Sequence, residues 1–131
     1  MCYYNIGMPE QTKKILIIED DQFIRELYER QLKLAGYFVE VAALGKIGLE
    51  LLAKNQYNLL MLDLNIPDIS GFQILEHLQK NSKDGLNIMI LSNSEADEFV
   101  NKGLEMGAHA FIIKSTYTPE KVVQEVKNLI G

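Results

Sequence analysis

Five short segments of the chain are apolar or nearly so, and polar or turn-forming residues bound each of them. They are Ile15–Ile18, Phe38–Val41, Leu59–Leu62, Ile88–Leu91 and Ala110–Ile113. Continuous apolar runs of this length are typical of strands that are buried on both faces of a sheet. The pattern therefore predicts five β-strands.

The stretches that follow these segments place apolar residues three or four positions apart, which is the spacing of one helix face. This spacing predicts five helices, over Gln22–Ala35, Lys46–Lys54, Phe72–Leu78, Ala96–Met106 and from Pro119 onwards. Gly36 and Gly107 stand where the first and fourth helices should end. Strand and helix thus alternate five times.

Such alternation, with fully apolar strands, is typical of an α/β fold in which a parallel sheet is covered by helices on both faces. The crossovers should be right-handed. The 131 residues suit one domain. We expect that domain to span residues 14–131 and to follow a flexible tail of residues 1–13.

Polar residues stand directly after four of the five predicted strands. Glu19 and Asp20 follow the first strand, Asp63 the third, Ser92 the fourth and Lys114 the fifth. Because ligands of open parallel sheets bind beyond the carboxyl ends of the strands, we expect these side chains to share one edge. The next residue, Asp21, is better explained as a helix N-cap than as part of this site.

Carboxylates crowded at one edge repel one another unless a cation lies between them. A set of oxygen donors without histidine or cysteine favours Mg²⁺ or Mn²⁺. Lys114 would add a positive charge there, and Ser92 a hydroxyl donor. An aspartate beside a metal, an ammonium and a hydroxyl is the arrangement used to form an aspartyl phosphate.

Composition narrows the classes of partner and compartment. The net charge is −5 and there is no basic stripe, which argues against direct nucleic-acid binding. No apolar run approaches the length of a membrane span, so we expect no membrane insertion. A single cysteine, Cys2, cannot form an internal disulfide and suits a reducing compartment. We therefore expect a cytoplasmic protein.

Taken together, four segments resemble the response-regulator receiver domain of two-component signalling. They are ILIIEDD from Ile15, LLMLDLNIPDISG from Leu59, IMILSNSE from Ile88 and GAHAFIIKS from Gly107. The resemblance covers nearly the whole chain, from about residue 13 to 130. It implies a flavodoxin-like fold with strand order 2-1-3-4-5, and a signalling receiver rather than a conventional enzyme.

The resemblance also implies the roles of the acidic residues. Asp63 is similar to the phospho-accepting aspartate of the family. Asp20 would be a direct Mg²⁺ ligand together with Asp63 and the backbone carbonyl of Asn65. Glu19 would take part through a water molecule. The domain would then catalyse its own Mg²⁺-dependent phosphorylation and dephosphorylation.

Three further positions match the family. Lys114 is similar to its lysine, Ser92 to the hydroxyl residue that follows the phosphoryl group, and Phe111 to an aromatic switch residue. A static core aromatic is an equally good interpretation of Phe111. Where the family usually has a proline after the lysine, with a cis peptide, this chain has Ser115, which leaves the isomer of the Lys114–Ser115 bond open.

The family's partners follow as expectations. A sensor histidine kinase or a histidine phosphotransfer protein would donate the phosphoryl group. A downstream effector or a second copy would bind the face made by the fourth helix, the fifth strand and the fifth helix. His77 and His109 are expected to be exposed and without a role.

Two other classes of protein share part of this pattern. A haloacid-dehalogenase-type phosphatase also uses a nucleophilic aspartate with a serine or threonine and a lysine. Proteins of that class carry an Asp-x-Asp motif on their first strand. Here the aspartate, Asp63, is on the third strand, and Asn65 stands where the second aspartate of the motif would be. A flavodoxin-like cofactor binder would need a phosphate-cradling loop after the first strand, where Glu19, Asp20 and Asp21 would repel phosphate.

Overall fold

A computed structural model describes residues 12–93 and 97–131 of the chain. The strands are β1 Lys14–Ile18, β2 Phe38–Ala42, β3 Leu59–Asp63, β4 Asn87–Ser92 and β5 Ala110–Ile113. The helices are α1 Gln22–Leu34, α2 Gly45–Lys54, α3 Gly71–Lys80, α4 Asp97–Glu105 and α5 Pro119–Ile130. All ten predicted elements are present, and their ends differ from the predicted ones by a few residues.

The five strands form one parallel sheet in the order β2-β1-β3-β4-β5. This confirms both the α/β class and the implied strand order. β2 and β5 form the two edges, and the three strands between them are buried except at Lys14 and Asn87, the first residues of β1 and β4. Residues 1–11 lie outside the described part of the chain, so the tail over residues 1–13 stays a prediction, and so does Ala96 as a helical residue.

Successive residues of each strand point to opposite faces of the sheet and build two cores. On one face Leu16, Ile18 and their counterparts in β3 and β4 pack against α2 and α3. On the other face Ile15, Ile17 and their counterparts pack against α1 and α5. Burial on both faces explains why the strands read as continuous apolar runs.

Helix starts are fixed by side chains that accept backbone N–H groups. Asp21 caps α1 through Ile24, as expected. Ser70 and Gln73 form a reciprocal capping box at α3, and Thr118 caps α5. The residue before α2, Leu44, has no capping side chain. Asp68, in the loop after β3, takes this part by accepting the N–H groups of Gly45 and Lys46 at 2.8 and 2.9 Å.

Glycines end two helices where the chain reverses. Gly36 and Gly107 have φ values of 102° and 107°, in the left-handed region that other residues rarely adopt. Gly71, at the start of α3, serves close packing instead. A Cβ atom there would lie 2.7 Å from Leu64 Cα and 2.8 Å from the Asp63 carbonyl oxygen. The loop that carries Asp63 is thereby held directly against α3.

The prediction that His109 has no role is wrong. Its ring is exposed, but Nδ1 accepts the backbone N–H of Ile88 at 3.0 Å, while the His109 N–H donates to the Ile88 carbonyl at 2.8 Å. The imidazole thus extends the β4–β5 ladder by one hydrogen bond. His77 is exposed on α3, as expected. Within residues 12–93 and 97–131, no helix is long and apolar enough to cross a bilayer.

Candidate functional site

The carboxyl ends of β1, β3, β4 and β5 meet at one edge of the sheet, because these strands are neighbours in that order. Asp63 ends β3 in register with Leu91, and Ser92 ends β4 in register with Ile113. Lys114 follows β5, and its N–H donates to the Ser92 carbonyl at 2.8 Å. The predicted side chains therefore do share one edge.

Glu19 is completely buried behind this edge. Its Oε1 accepts Lys114 Nζ at 2.7 Å and its Oε2 accepts the N–H of Asp21 at 3.0 Å. Its own N–H donates to the Ala42 carbonyl of β2 at 3.0 Å. Both carboxylate oxygens are thus held by the protein, and the closest charged partner is the lysine.

Asp63 is 2% exposed, and a backbone N–H and a lysine lie against its carboxylate. Its Oδ1 accepts the N–H of Asn65 at 3.0 Å, and its Oδ2 lies 3.4 Å from Lys114 Nζ. Burial raises the pKa of Asp63 to about 7, with a further rise from Glu19. The Asn65 N–H and the Lys114 charge act in the opposite direction but do not cancel this effect.

Lys114 is the cationic centre of the site. Burial alone would lower the pKa of its ammonium, but the hydrogen bond to Glu19 and the charges of Asp63 and Glu19 outweigh it, so the net shift is upward. The ammonium stays charged and neutralises only one of the two buried carboxylates beside it. Without a further cation the second carboxyl, that of Asp63, tends to keep its proton, as its raised pKa indicates.

One carboxylate oxygen from each of Glu19, Asp20 and Asp63 lies within 4.8 Å of the others. Glu19 and Asp63 are buried, whereas Asp20 is exposed, so a cation can reach the group from solvent. The donors are all oxygens, which are the ligands that Mg²⁺ and Mn²⁺ take. The residues present therefore fit a hard divalent ion.

The two residues expected to switch lie on neighbouring strands. Ser92 is buried at the end of β4, and Phe111 on the edge strand β5 is 37% exposed. This exposure does not support the interpretation of Phe111 as a static core aromatic. No peptide bond between described residues is cis, so the Lys114–Ser115 bond is trans.

Sequence reasoning missed Arg25, on the first turns of α1. Its Nη1 donates to the carbonyl of Glu19 at 3.0 Å and to that of Asp20 at 3.2 Å. Nothing in the apolar pattern marks this residue. The signal that could have found it is its place five residues after Asp20, which brings a long side chain back over the preceding loop.

The comparisons with known proteins agree with this geometry. The family model of the response regulator receiver domain matches residues 15–127. A probable transcriptional regulator, ycf27, of Porphyridium aerugineum is 32% identical over 120 residues, which are 92% of this chain and 49% of that protein. The response regulator ArlR of Staphylococcus saprophyticus is 35% identical over 101 residues, 77% of this chain and 45% of that protein.

Solved structures give the same result. A CheY-like receiver domain protein of Methanospirillum hungatei superimposes with a TM-score of 0.82 at 30% identity, over 89% of this chain and 92% of that one. The response regulator TrrA of Thermotoga maritima, solved in complex with Mg²⁺ and BeF, superimposes with a TM-score of 0.79 at 27% identity, over 90% and 99% of the two chains.

The chain belongs to the response regulator receiver domain family of two-component signalling. It is a signalling receiver whose state depends on phosphorylation, and the comparisons give no support to the haloacid-dehalogenase alternative. The chain spans about half the length of the two curated relatives described above.

Proposed function

We propose that Asp63 accepts the phosphoryl group, and that a histidine kinase or a histidine phosphotransfer protein donates it. The observation that carries this assignment is the placement of Asp63. It is a buried carboxylate at a strand end, 3.4 Å from a buried lysine and within reach of two further acids. Such a carboxylate is poised to act as a nucleophile on phosphorus.

In the transfer, an Asp63 carboxylate oxygen forms a bond to phosphorus as the bond from phosphorus to the donor's imidazole nitrogen breaks. The Asn65 N–H orients Asp63 through Oδ1. Lys114 offers its charge to the phosphoryl oxygens, and moving toward them loosens its contact with Glu19. Ser92 donates its hydroxyl from the end of the next strand. In dephosphorylation, water attacks phosphorus, the bond from phosphorus to the Asp63 oxygen breaks, and inorganic phosphate leaves the regenerated carboxylate.

Mg²⁺ or Mn²⁺ is the metal that we propose for this site, held by Asp20, Asp63 and the Asn65 carbonyl, with Glu19 acting through a water molecule. When bound, the ion keeps Asp63 ionised and neutralises charge on the transferring group. Asp20→Ala should lose most of the Mg²⁺ affinity measured by NMR titration. Unchanged affinity in that variant would contradict the metal assignment.

The covalent step is tested on the intact chain with acetyl phosphate and Mg²⁺. The mass should increase by one phosphoryl group, and hydroxylamine should remove it, because an acyl phosphate is labile to this reagent and a seryl phosphate is not. Asp63→Asn should not be labelled. The matched control Asp84→Asn changes an exposed aspartate in the segment before β4, near the amino ends of the strands and away from the site. This variant should be labelled like the wild type. Equal labelling of Asp63→Asn would refute the proposal.

We further propose that phosphorylation changes the face made by α4, β5 and α5. Ser92 would move toward the phosphoryl group and Phe111 would rotate into the space behind it. The exposed ring of Phe111 on this face, at 37%, offers apolar area to a downstream effector or a second copy. Transcriptional regulation by a partner or a longer form fits the names of the relatives.

This switch is tested by NMR shift mapping with beryllofluoride and Mg²⁺. Shifts should extend from Asp63 to residues on the face of α4, β5 and α5, and Ser92→Ala should weaken these distant shifts while it leaves Mg²⁺ binding nearly intact. Shifts confined to the neighbourhood of Asp63 would rule out the switch. An increase in the sedimentation coefficient on adding beryllofluoride would indicate that a second copy is the partner. An unchanged coefficient would indicate that the partner is a different protein.

A further inference from the structure

The three acids of the site are not equally restrained. Glu19 has both carboxylate oxygens bonded, and Asp63 is held by the Asn65 N–H. Among the described residues, by contrast, no group donates a hydrogen bond to the Asp20 carboxylate, which is exposed. The protein therefore restrains this side chain only through the backbone, which sets the direction of its Cα–Cβ bond.

Arg25 holds that backbone. The Glu19 carbonyl belongs to the peptide plane before the Asp20 Cα atom, and the Asp20 carbonyl belongs to the plane after it. Nη1 of Arg25 donates to both oxygens, at 3.0 and 3.2 Å. Two fixed peptide planes determine φ and ψ of the residue between them, and hence the direction of its Cα–Cβ bond.

The anchorage of Arg25 itself is firm. Its N–H donates to the Asp21 carbonyl at 2.9 Å in the first turn of α1, and Asp21 caps the same helix through Ile24. The guanidinium is half-buried and permanently charged. It therefore ties the loop that carries Glu19 and Asp20 to a rigid helix rather than to another loop.

We propose that Arg25 is a positioning residue that aims the Asp20 carboxylate at the cation site. This inference rests on the proposed function, because it concerns the metal assigned there. Two effects of Arg25 on a cation have opposite signs. Its positive charge repels the ion, so that removing the charge alone would tighten binding. Its hold on the two carbonyls aligns a ligand, so that losing the hold weakens binding.

The experiment is a Mg²⁺ titration followed by two-dimensional NMR on three variants. Arg25→Met keeps the length of an apolar stem but removes both the charge and the donors, and we expect it to weaken Mg²⁺ binding about tenfold. Arg25→Lys keeps the charge on a shorter side chain, and partial rescue by this variant is expected. The matched control Arg30→Met removes a charge from an exposed position of the same helix and should bind Mg²⁺ like the wild type.

A metal-free measurement separates positioning from general loss of structure. In Arg25→Met, the Asp21 amide, which donates to Glu19 Oε2 at 3.0 Å, should exchange faster with solvent while amides of β1 and β3 keep their protection. Mg²⁺ binding in Arg25→Met that is equal to or tighter than in the wild type would overturn the inference, and Arg25→Lys provides the same test in a more conservative background. Absence of Mg²⁺ binding in the wild type would overturn the proposed metal site as well. If the wild type binds Mg²⁺ and Arg25→Met binds it with the same affinity, this inference alone is overturned.

Discussion

In the metal-free protein, Asp63 should make stability depend on pH. The folded chain holds the proton of this carboxyl up to a pKa of about 7, because burial disfavours the ionised form. An unfolded aspartate releases its proton near a pKa of about 3.9. Between these values the folded state binds more protons than the unfolded state, so stability falls as the pH rises.

The size of the effect follows from the two pKa values. Their separation corresponds to about 4 kcal/mol of unfolding free energy, lost between about pH 4 and pH 7, and about 3 kcal/mol of this lies between pH 5 and pH 8. Lys114 stays charged over this range because its pKa is raised. Replacing Asp63 with Asn removes the titrating group, so the wild-type chain and the variant should diverge as the pH rises.

The assay is urea unfolding followed by circular dichroism in EDTA at several values between pH 5 and pH 8. Asp63→Asn should be the more stable chain at pH 8, and its advantage should shrink by about 3 kcal/mol on going to pH 5. Asp84→Asn is the control and should follow the wild type. Parallel pH profiles for Asp63→Asn and wild type would refute the reasoning.

Three further changes test other contacts, each by urea unfolding. Tyr28→Phe should raise stability by about 1 kcal/mol, since the buried Tyr28 hydroxyl has no hydrogen-bond partner among the described residues; a clear loss would show that the hydroxyl is satisfied. Gly71→Ala should cost about 3 kcal/mol, because the new Cβ meets backbone atoms of Leu64 and Asp63; a neutral result would show that this loop can yield. Asp68→Ala should destabilise the chain, because it removes the cap of α2. The loss should be larger at neutral than at acid pH, because backbone N–H groups, that of Lys46 foremost, lower the pKa of Asp68. A loss of stability that does not depend on pH would contradict this cause.

The sheet could be predicted because burial on both faces leaves a strong sequence signal. Every residue is apolar in runs such as Ile15–Ile18 and Leu59–Leu62, and the helices between the strands have one apolar face each. The site followed from topology, since the residue after each parallel strand lies at the same edge. Asp63 and Lys114 were placed together in this way although 50 positions of sequence separate them.

Hydrogen bonds between distant polar groups left no such trace. Three such contacts are those of Arg25 with the loop carbonyls, of Asp68 with the start of α2, and of His109 with Ile88. Nothing in the sequence pattern distinguishes these three residues from other polar residues. The direct ion pair of Glu19 with Lys114 was also not predicted, because it depends on the reach of two side chains after folding. Sequence patterns report burial, whereas these contacts depend on local geometry.

The central claim, that Asp63 is the phospho-acceptor, is tested most directly by trapping the modified residue. After incubation with acetyl phosphate and Mg²⁺, borohydride reduces an aspartyl phosphate to homoserine, which peptide mass spectrometry locates. The account predicts homoserine at position 63 and at no other aspartate. Homoserine at Asp20 or another aspartate, or a borohydride-resistant phosphoryl group on Ser92, would contradict it.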